Sequence, residues 1–405
     1  MNTLPGFLFL LASLLAQIYI CSELKSYLQK RAIDASVKEK LIRYSSGFFI
    51  LSLLPLLWRT CVGWPGDRST SWLMREFFLV SHVWWMGSVG CAIILLGCAL
   101  FRWLVPIATR RTRAEDVDFG RRDFLCKGVG LAAAAPLVIS GYGALFERRR
   151  FELEHFSIQV DGLSSSLSQL TIAHLTDIHV GPFMPPEELA LYVNAVNRLR
   201  PDLIALTGDF VTGGDDEVSP CVETLAKLKA RYGIFACLGN HDSYAGVADE
   251  LAHLLGENGI STLRNDATTI QIRDTRIEIL GIEDLGTGRP DLRRALTVTE
   301  KHPGEVKVLL SHRPEIFPVA ARQGIDLVLS GHYHGGQVKL FSNSKSLSIA
   351  RFLTPYAEGL YRLPRATDSE KKGANLFVSR GVGVSALPIR LNCSPQIAHL
   401  TLINA

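Results

Sequence analysis

Aspartate, histidine and asparagine residues follow a series of short apolar runs in the second half of the chain. Side chains two positions apart in an extended segment point to the same side, so Asp177 and His179 would face a common site. The segments that carry such residues are Asp177-Ile178-His179, Gly208-Asp209, Gly239-Asn240-His241-Asp242, Ser311-His312 and Gly331-His332-Tyr333-His334. Because ligands of open α/β sheets bind at the carboxyl ends of the strands, we expect these segments to meet.

These side chains have the chemistry of metal ligands. Asp, His and Asn without Cys suit Mn, Fe, Zn or similar cations better than a thiolate zinc site. Besides His241 and Asp242, the segments supply two carboxylates, four imidazoles and one amide, which is more than one ion needs. Two divalent ions that share a bridging Asp would use them all. Such pairs recur in the hydrolysis of phosphoesters, because they polarise the phosphoryl oxygens and activate water.

The ordered set D-x-H, G-D, G-N-H-D, a lone His and G-H-x-H resembles that of the calcineurin-like metallophosphoesterase superfamily. The resemblance covers residues 165–403, and the gaps of 25–30 residues between the first three motifs are typical of it. The set of five motifs in this order is highly specific, whereas a lone G-D or H-x-H would mean little. The segment Ser379–Gly383 is similar to the membrane-anchored or exported bacterial branch.

The resemblance implies a role for each motif residue and a fold. Seven residues would bind two metal ions: Asp177, His179 and His334 the first, Asn240, His312 and His332 the second, and Asp209 both. His241 would act as general acid for the leaving oxygen or stabilise the transition state, with Asp242 orienting it. The implied fold is a four-layer αββα sandwich of two mixed sheets with helices outside.

From Phe151 onward, apolar runs alternate with helical patterns, which predicts an α/β domain. After a leading strand near residues 151–160, strands are expected at Leu170–Leu175, Leu203–Thr207, Ile234–Leu238, Ile270–Ile272, Ile277–Leu280, Val306–Leu310, Leu327–Leu329, Leu376–Val378 and Ala398–Leu402. Helices are expected at Pro186–Arg198, Val222–Arg231, Val247–Leu255, Pro290–Leu296 and Glu315–Gln323. The polar segments Ser342–Ser346 and Arg365–Gly373 are predicted to be surface loops.

Four apolar runs precede this domain. They are Thr3–Ile20, Ser45–Trp58, Phe77–Leu100 and Gly128–Phe146. A spanning helix needs about 20 mainly apolar residues, so we predict three to four transmembrane helices, the second run being the shortest. Residues 1–150 are thus expected to form a transmembrane region, and residues 151–405 the metallophosphoesterase domain.

The distribution of basic residues predicts an orientation. Lys and Arg concentrate between the first and second runs and between the third and fourth, which the positive-inside rule assigns to the cytoplasm. The N terminus and the catalytic domain would then lie outside the inner membrane. The segment 121–127, Arg-Arg-Asp-Phe-Leu-Cys-Lys, resembles a bacterial twin-arginine export signal and agrees with this orientation. The cluster Arg148–Arg150, just past the fourth run, argues against it.

Composition excludes several classes of protein. The 405 residues are 47% hydrophobic and 20% charged, which is unlike a disordered or collagen-like chain. Residues 1–150 hold 19 Lys and Arg against 10 Asp and Glu, so the net charge of +4 comes from the apolar part. A nucleic-acid partner is therefore not expected. The eight cysteines show neither zinc spacing nor a disulfide framework.

The sequence thus predicts a membrane-anchored, metal-dependent hydrolase of phosphoesters, most of all phosphodiesters of lipids or the cell envelope. One alternative keeps the chemistry and changes the side: hydrolysis of the UDP-2,3-diacylglucosamine pyrophosphate of lipid A biosynthesis at the cytoplasmic face. Arg148–Arg150 would then hold the domain against anionic lipid. A non-catalytic scaffold on the same fold is the other alternative, although such proteins typically lose ligands or the catalytic His, and this sequence keeps them.

Overall fold

The computed structural model describes residues 3–30, 33–55, 57–58, 72–108, 119–299, 306–343, 345–364, 373–385 and 387–405. The chain divides into two compact units, one of helices that ends at Leu145 and one that begins at Phe146. The predicted loop Arg365–Gly373 lies outside the described residues except for Gly373, as do most basic residues of the loops at 59–71 and 109–118.

The first unit consists of long helices. The described helices are α1 (Thr3–Gln29), α2 (Ala35–Leu51), α3 (Trp72–Ala108) and α4 (Phe119–Leu145). A Cβ at Gly90 would lie 2.6 Å from the Pro136 Cβ, and Gly87 also touches Leu137, so small residues allow α3 and α4 to pack closely. The indole of Trp85 is fully buried and donates to the backbone carbonyl of Ser52 at 2.8 Å.

Two helical segments among the described residues are long and apolar enough to cross a membrane. They are Arg75–Phe101 and Lys127–Arg149, which contain most of the third and fourth predicted runs. Neither of the first two predicted runs lies in such a segment. The prediction of three to four spanning helices is therefore not confirmed. The twin-arginine-like segment 121–127 lies within α4.

The second unit contains two six-stranded sheets. Its strands are β1 (Glu152–Val160), β2 (Thr171–Leu175), β3 (Leu203–Thr207), β4 (Ile234–Cys237), β5 (Ile260–Thr262), β6 (Asp266–Ile272), β7 (Thr275–Gly281), β8 (Val306–Leu310), β9 (Leu327–Ser330), β10 (Gly359–Pro364), β11 (Gly373–Val378) and β12 (Gln396–Asn404). Sheet one has the order β1-β12-β2-β3-β4-β5, and sheet two the order β10-β11-β9-β8-β7-β6. Both sheets are mixed, with a parallel centre.

The helices of this unit cover the outer faces of the sheets. They are α5 (Pro186–Leu199), α6 (Val218–Leu225), α7 (Asn240–Tyr244), α8 (Ala248–Glu257), α9 (Leu292–Thr299), α10 (Phe317–Arg322) and α11 (Ala350–Leu353). Neighbouring residues of a strand point to opposite faces. Ile172 of β2 therefore packs between the sheets, whereas Ala173 packs under the helices of sheet one. Val308 and Leu309 divide in the same way between the central core and the helices of sheet two. Helices, sheet, sheet and helices thus form successive layers.

Several predicted elements differ from the structure. The helix expected at Val222–Arg231 runs instead over Val218–Leu225. It ends early because the side chain of Asn197 accepts from the backbone N–H of Lys229 at 2.8 Å and donates to the carbonyl of Lys227. Sequence patterns also missed β5 and β10, and the polar stretch 342–346 is not wholly on the surface, since Ser346 is buried.

The parallel strands deliver the motif segments side by side. Leu175 of β2 pairs with Leu206 of β3, and Thr207 pairs with Cys237 of β4. In sheet two, Leu310 of β8 pairs with Leu329 of β9. The residues that follow these strand ends leave both sheets at the same edge of the sandwich.

Candidate metal centre

The eight side chains expected to form the site lie together. Three overlapping groups have ligand atoms within 4.8 Å of one another and could each hold a metal ion: Asp177, His179 and His334; His179, Asp209 and His241; and Asp209, His312 and His332. Asn240 completes the cluster, since its Oδ1 lies 3.2 Å from His312 Nε2. Sheet one contributes Asp177, His179, Asp209, Asn240 and His241, and sheet two contributes His312, His332 and His334.

Asp209 lies between two sets of imidazoles. Its Oδ2 is 3.4 Å from His179 Nε2 and 3.3 Å from His312 Nε2. On the first side, His334 Nε2 lies 3.2 Å from His179 Nε2 and 3.4 Å from Asp177 Oδ1. One carboxylate thus reaches both sides of the cluster, as a bridging ligand must.

The second side of the cluster is equally close. His332 Nδ1 lies 3.2 Å from His312 Nε2, while His312 Nδ1 donates to the carbonyl of Thr207 at 2.8 Å. A hydrogen bond from Nδ1 to a carbonyl orients the ring and directs Nε2 toward the cluster. The backbone N–H of His332 also donates to the Asp177 carboxylate at 3.0 Å, which ties the two sheets together.

The backbone of the cluster is strained. Eleven non-glycine residues of the described chain have positive φ, and five of them are proposed ligands: Asp177, His179, Asp209, His332 and His334, with φ between 50 and 73°. Such conformations cost free energy and concentrate at functional sites, where the surrounding fold enforces them. The strain therefore marks this edge independently of the ligand chemistry.

Glycines beside the ligands leave room for the close approach of backbone segments. Gly208 has φ of 89°, and a Cβ there would lie 2.6 Å from the backbone nitrogen of Gly239. A Cβ on Gly331 would overlap the carboxylate of Asp177. Larger residues at either position would displace a ligand segment.

Burial sets the protonation of the cluster. Burial lowers the pKa of His179 to about 3 and that of His332 to about 2, so both imidazoles are neutral and can accept a cation. Burial also opposes the charging of His312, but the adjacent Asp209 carboxylate outweighs it and raises the pKa of His312 to about 10. The Asp209 carboxylate thus favours a proton on His312, and the same negative charge would favour a metal cation. Buried neutral imidazoles around two carboxylates and an amide fit divalent metal ions.

His241 stands at the rim of this cluster. Its Nδ1 donates to the carbonyl of Thr212 at 3.1 Å, and its Nε2 lies 3.3 Å from the hydroxyl of Ser385. Its backbone N–H donates to Asp209 Oδ1 at 2.8 Å. The ring is only partly buried, unlike those of His179 and His312, so it can reach a bound substrate.

Asp242 does not orient His241, contrary to the expectation from sequence. Its Oδ1 accepts from the backbone N–H groups of Phe210 and Val211, and its Oδ2 from those of Asp209 and Gly239. Its carboxylate therefore shapes the backbone around Asp209. Four backbone donors converge on it because β3 and β4 end side by side.

Glu217, which the motif set does not include, also organises the site. Its Oε2 accepts from the backbone N–H groups of Thr212, Gly213 and Gly214 at 2.8 to 3.2 Å. Thr212 in turn holds His241. The only hint in the sequence is the position of Glu217, five residues after Thr212 at the start of the same loop.

The sheet-two segments depend on side-chain pairs. Arg313, next to His312, contacts the buried carboxylate of Asp284 at 2.9 Å. Glu315 accepts from the hydroxyls of Tyr333 at 2.7 Å and Thr354 at 2.8 Å. These contacts connect the loops that carry His312, His332 and His334.

Two arginines that could have contacted substrate serve the fold instead. Arg380 forms ion pairs with Glu152 and Glu154. Arg390 is fully buried, and its guanidinium donates to the backbone carbonyls of Arg380, Gly381, Gly383 and Cys393. Neither offers a free cation to a phosphate.

This site on two packed sheets defines the class of metal-dependent phosphoesterases. A family model described as calcineurin-like phosphoesterase matches residues 170–336, which include every proposed ligand. The transmembrane protein with metallophosphoesterase domain of Danio rerio is 32% identical over 357 residues, covering 83% of this chain and 78% of that protein. The chain belongs to the calcineurin-like phosphoesterase family and is a hydrolase.

Bacterial relatives give the same assignment. The uncharacterized metallophosphoesterase YkuE of Bacillus subtilis is 28% identical over 293 residues, which cover 70% of this chain and 97% of that protein. An uncharacterized metallophosphoesterase of Aquifex aeolicus is 29% identical over 269 residues, covering 65% of this chain and 97% of its own. The segments aligned with these two proteins are close in length to the second unit of this chain.

Proposed function

We propose that this protein hydrolyses phosphodiester bonds with two divalent metal ions at a membrane. The observation that carries the proposal is Asp209, whose Oδ2 lies 3.4 Å from His179 Nε2 on one side and 3.3 Å from His312 Nε2 on the other. A carboxylate between two sets of potential ligands is an arrangement that can hold two ions. Mn, Zn and Fe all suit these donors.

Each ion would be held by residues from both sheets. Asp177, His179 and His334 would bind the first, and Asn240, His312 and His332 the second, with Asp209 shared. The ions, when bound, supply Lewis-acid activation of the phosphoryl group and of water. The protein residues hold the donors at fixed spacing through Thr207, Asp242 and Glu217.

His241 would assist departure of the alcohol. The carbonyl of Thr212 fixes the Nδ1–H, so the proton to be transferred is the one on Nε2, which faces the hydroxyl of Ser385. General acids act best when held within hydrogen-bond distance of the leaving oxygen.

Two apolar helices and the similarity to the transmembrane protein of Danio rerio support attachment to a membrane. We propose a multi-pass protein of the bacterial inner membrane, with the catalytic unit outside, on the basis of the loop charges and the segment 121–127. The substrate would then be a phosphoester of a lipid or of the cell envelope. The cytoplasmic lipid A alternative loses part of its support, since Arg148 is 4% exposed and lies 3.8 Å from Glu188.

The location is tested by alkaline phosphatase or green fluorescent protein fused after Ala405, which is exposed. Fusion after residue 150 would interrupt the catalytic unit, which begins at Phe146. Phosphatase activity without fluorescence is expected. The opposite pattern would favour the cytoplasmic alternative.

The chemistry is tested with the full chain in detergent. Hydrolysis of bis(p-nitrophenyl) phosphate and of p-nitrophenyl phosphate would be followed with Mn²⁺ and with chelator. Loss of a shared ligand in Asp209→Asn is expected to lower turnover by more than about 100-fold, because even partners outside the ligand shell are worth 10- to 100-fold. Asp215→Asn, an exposed acid of the same region, is the matched control and should keep wild-type turnover.

His241→Ala separates two roles of this histidine. Loss of a general acid is expected to slow turnover by about 10²- to 10⁴-fold for alkyl leaving groups, and less for p-nitrophenol, which leaves readily. Two metal ions per chain should remain bound. An equal loss for both leaving groups together with a lost ion would make His241 a ligand instead.

A further inference from the structure

Six large apolar side chains of the catalytic unit stand exposed in one short stretch of chain. Each is at least 60% exposed. We define the apolar ridge by these residues: Leu340, Phe341, Leu347, Ile349, Phe352 and Leu353. Among the described residues from Phe146 onward, twelve large apolar side chains are exposed, and half of them lie in this stretch. Concentrated apolar surface of this kind marks an interaction site.

Two serines of the stretch point inward, while their apolar neighbours point outward. Ser346 and Ser348 are 4% and 6% exposed, while the neighbouring Leu347 and Ile349 are 60% and 72% exposed. The buried hydroxyl of Ser346 accepts from the backbone N–H of Phe341 at 2.7 Å. The hydrogen bond of Ser346 therefore helps to define the fold of this segment, in which the apolar side chains point outward.

The ridge is attached to the metal centre at two points. A Cβ on Gly336 would lie 2.6 Å from Ser348, so this serine packs two residues after the proposed ligand His334. At the other end, the hydroxyl of Thr354 donates to Glu315, which also accepts from Tyr333 between His332 and His334. A partner that covers the ridge would therefore lie near the segment that carries His332 and His334.

The charge of the stretch favours an anionic partner. Lys345 is exposed, and Arg351 lies between Ile349 and Phe352 in the sequence. The sequence from Gln337 to Ala357 contains no Asp or Glu. The next acid along the chain, Glu358, is buried and paired with Lys339 at 2.9 Å, and the acid at the end of the ridge, Glu315, accepts hydrogen bonds from Thr354 and Tyr333. Apolar side chains flanked by Lys and Arg are the composition that inserts into the interface of an anionic bilayer.

We propose that the apolar ridge inserts into the surface of an anionic lipid bilayer beside the metal centre. A chain that carries two helices of membrane-spanning length keeps its catalytic unit near a bilayer, so weak insertion is sufficient. Insertion would hold the cluster at the depth of lipid phosphates. This last step, though not the insertion itself, rests on the proposed hydrolysis of phosphoesters.

Insertion is tested with the photoreactive residue p-benzoylphenylalanine in place of Phe352. The full chain is placed in nanodiscs of phosphatidylcholine and phosphatidylglycerol, illuminated, and analysed by mass spectrometry. The matched control carries the same residue in place of Leu191, which is 57% exposed on α5. Lipid adducts at position 352 and none above background at 191 are expected. Adducts at neither position, equally at both, or only to a second protein chain would overturn the proposal.

Coupling to catalysis is tested with the double variant F352D/L353D. Its substrates are hexadecyl p-nitrophenyl phosphate in the same lipid and soluble bis(p-nitrophenyl) phosphate. Loss of the membrane contact is expected to lower turnover of the lipid-borne ester by about tenfold and to leave the soluble ester unchanged. Leu191→Asp should change neither. Equal loss on both substrates would make the ridge part of the soluble site. If the wild type hydrolyses neither ester, the proposed function fails, while the lipid adducts still decide the insertion.

Discussion

The two sheets hold their shares of the metal centre in different ways. The sheet-one segments are fixed by two carboxylates that accept backbone N–H groups: four on the buried Asp242 and three on the half-buried Glu217. The sheet-two segments depend more on contacts between side chains, namely Arg313 with Asp284 and Glu315 with Tyr333, besides the bond from the backbone N–H of His332 to Asp177. Both proposed carboxylate ligands come from sheet one, and sheet two contributes imidazoles alone.

This difference suggests a division of labour. Backbone donors bound to buried acids cannot move without leaving unpaired groups, so the sheet-one half is rigid and tied to stability. Side-chain pairs with partly exposed members can rearrange at lower cost. The apolar ridge adjoins the sheet-two half, through Gly336 and Thr354. The sheet-one half of the cluster is therefore expected to contribute more to stability than the sheet-two half.

The largest effect on stability is expected from Asp242→Ala. This change leaves four buried backbone N–H groups without a partner, at about 1–3 kcal/mol for each unsatisfied group, partly recovered by relaxation. A net loss of about 3–5 kcal/mol corresponds to a fall in Tm of about 10 °C for a unit of this size. Thermal unfolding of the full chain in detergent would measure it.

The controls for Asp242 are Asp242→Asn and Asp215→Ala. The amide keeps one acceptor oxygen and should lose about half as much, by the same count of hydrogen bonds. Asp215 is exposed and should leave Tm unchanged. A small effect of Asp242→Ala would contradict the rigid role of the sheet-one half.

Metal removal is expected to lower stability next most strongly. Each proposed ion has ligands from both sheets, so bound metal ties the sandwich together at this edge. A ligand at 100 times its Kd adds about 2.7 kcal/mol, so saturating Mn²⁺ should raise Tm by about 5–10 °C over the chelated protein. In Asp209→Asn most of this increase should vanish. If chelator left the Tm of the wild type unchanged, the result would contradict a metal centre shared by the two sheets.

Most strands could be predicted because their sequences are continuous apolar runs. Leu203–Thr207, which is buried from end to end, and Val306–Leu310, which is buried except at Lys307, have the predicted bounds. The strand Ile260–Thr262 was missed because it has three residues and one apolar side chain. The pairing of Gly359–Pro364 with β11 is a tertiary property that no local pattern displays.

The site could be predicted as a set of residues but not as a network. The motif spacing predicted that Asp177, Asp209 and His312 would meet, and the structure brings them together. The partners of Asp242 and Glu217 could not be predicted, because backbone N–H groups look alike in every sequence. The outward-facing leucines near 347 were likewise hidden in a stretch that reads as a polar loop followed by a short apolar run.

Arg313→Ala would sharpen the contrast between the sheets. Asp284 keeps its bonds from the backbone of Gly286 and Thr287, at 2.9 and 3.0 Å, so the loss of stability should be only about 1–2 kcal/mol. Metal affinity should fall by about 10- to 100-fold, since Arg313 supports the segment of His312. Calorimetric titration with Mn²⁺ would measure it, with the exposed Arg322→Ala as control. Unchanged affinity with a large fall in Tm would remove the distinction between the sheets.

The smallest effect expected is a pH dependence at Glu217. Burial raises its pKa from an ordinary value of 4.5 to about 7, although three backbone donors favour the charged form. Between these values the folded protein holds a proton that the unfolded chain has released, so this group loses stabilising effect as pH rises from about 4.5 to 7. Glu217→Gln cannot titrate. The Tm of the wild type minus that of the variant should therefore fall across this window and level off above it. A difference that stays constant from acid to neutral pH would mean that Glu217 is charged throughout, and that the sheet-one half is held by a permanent carboxylate.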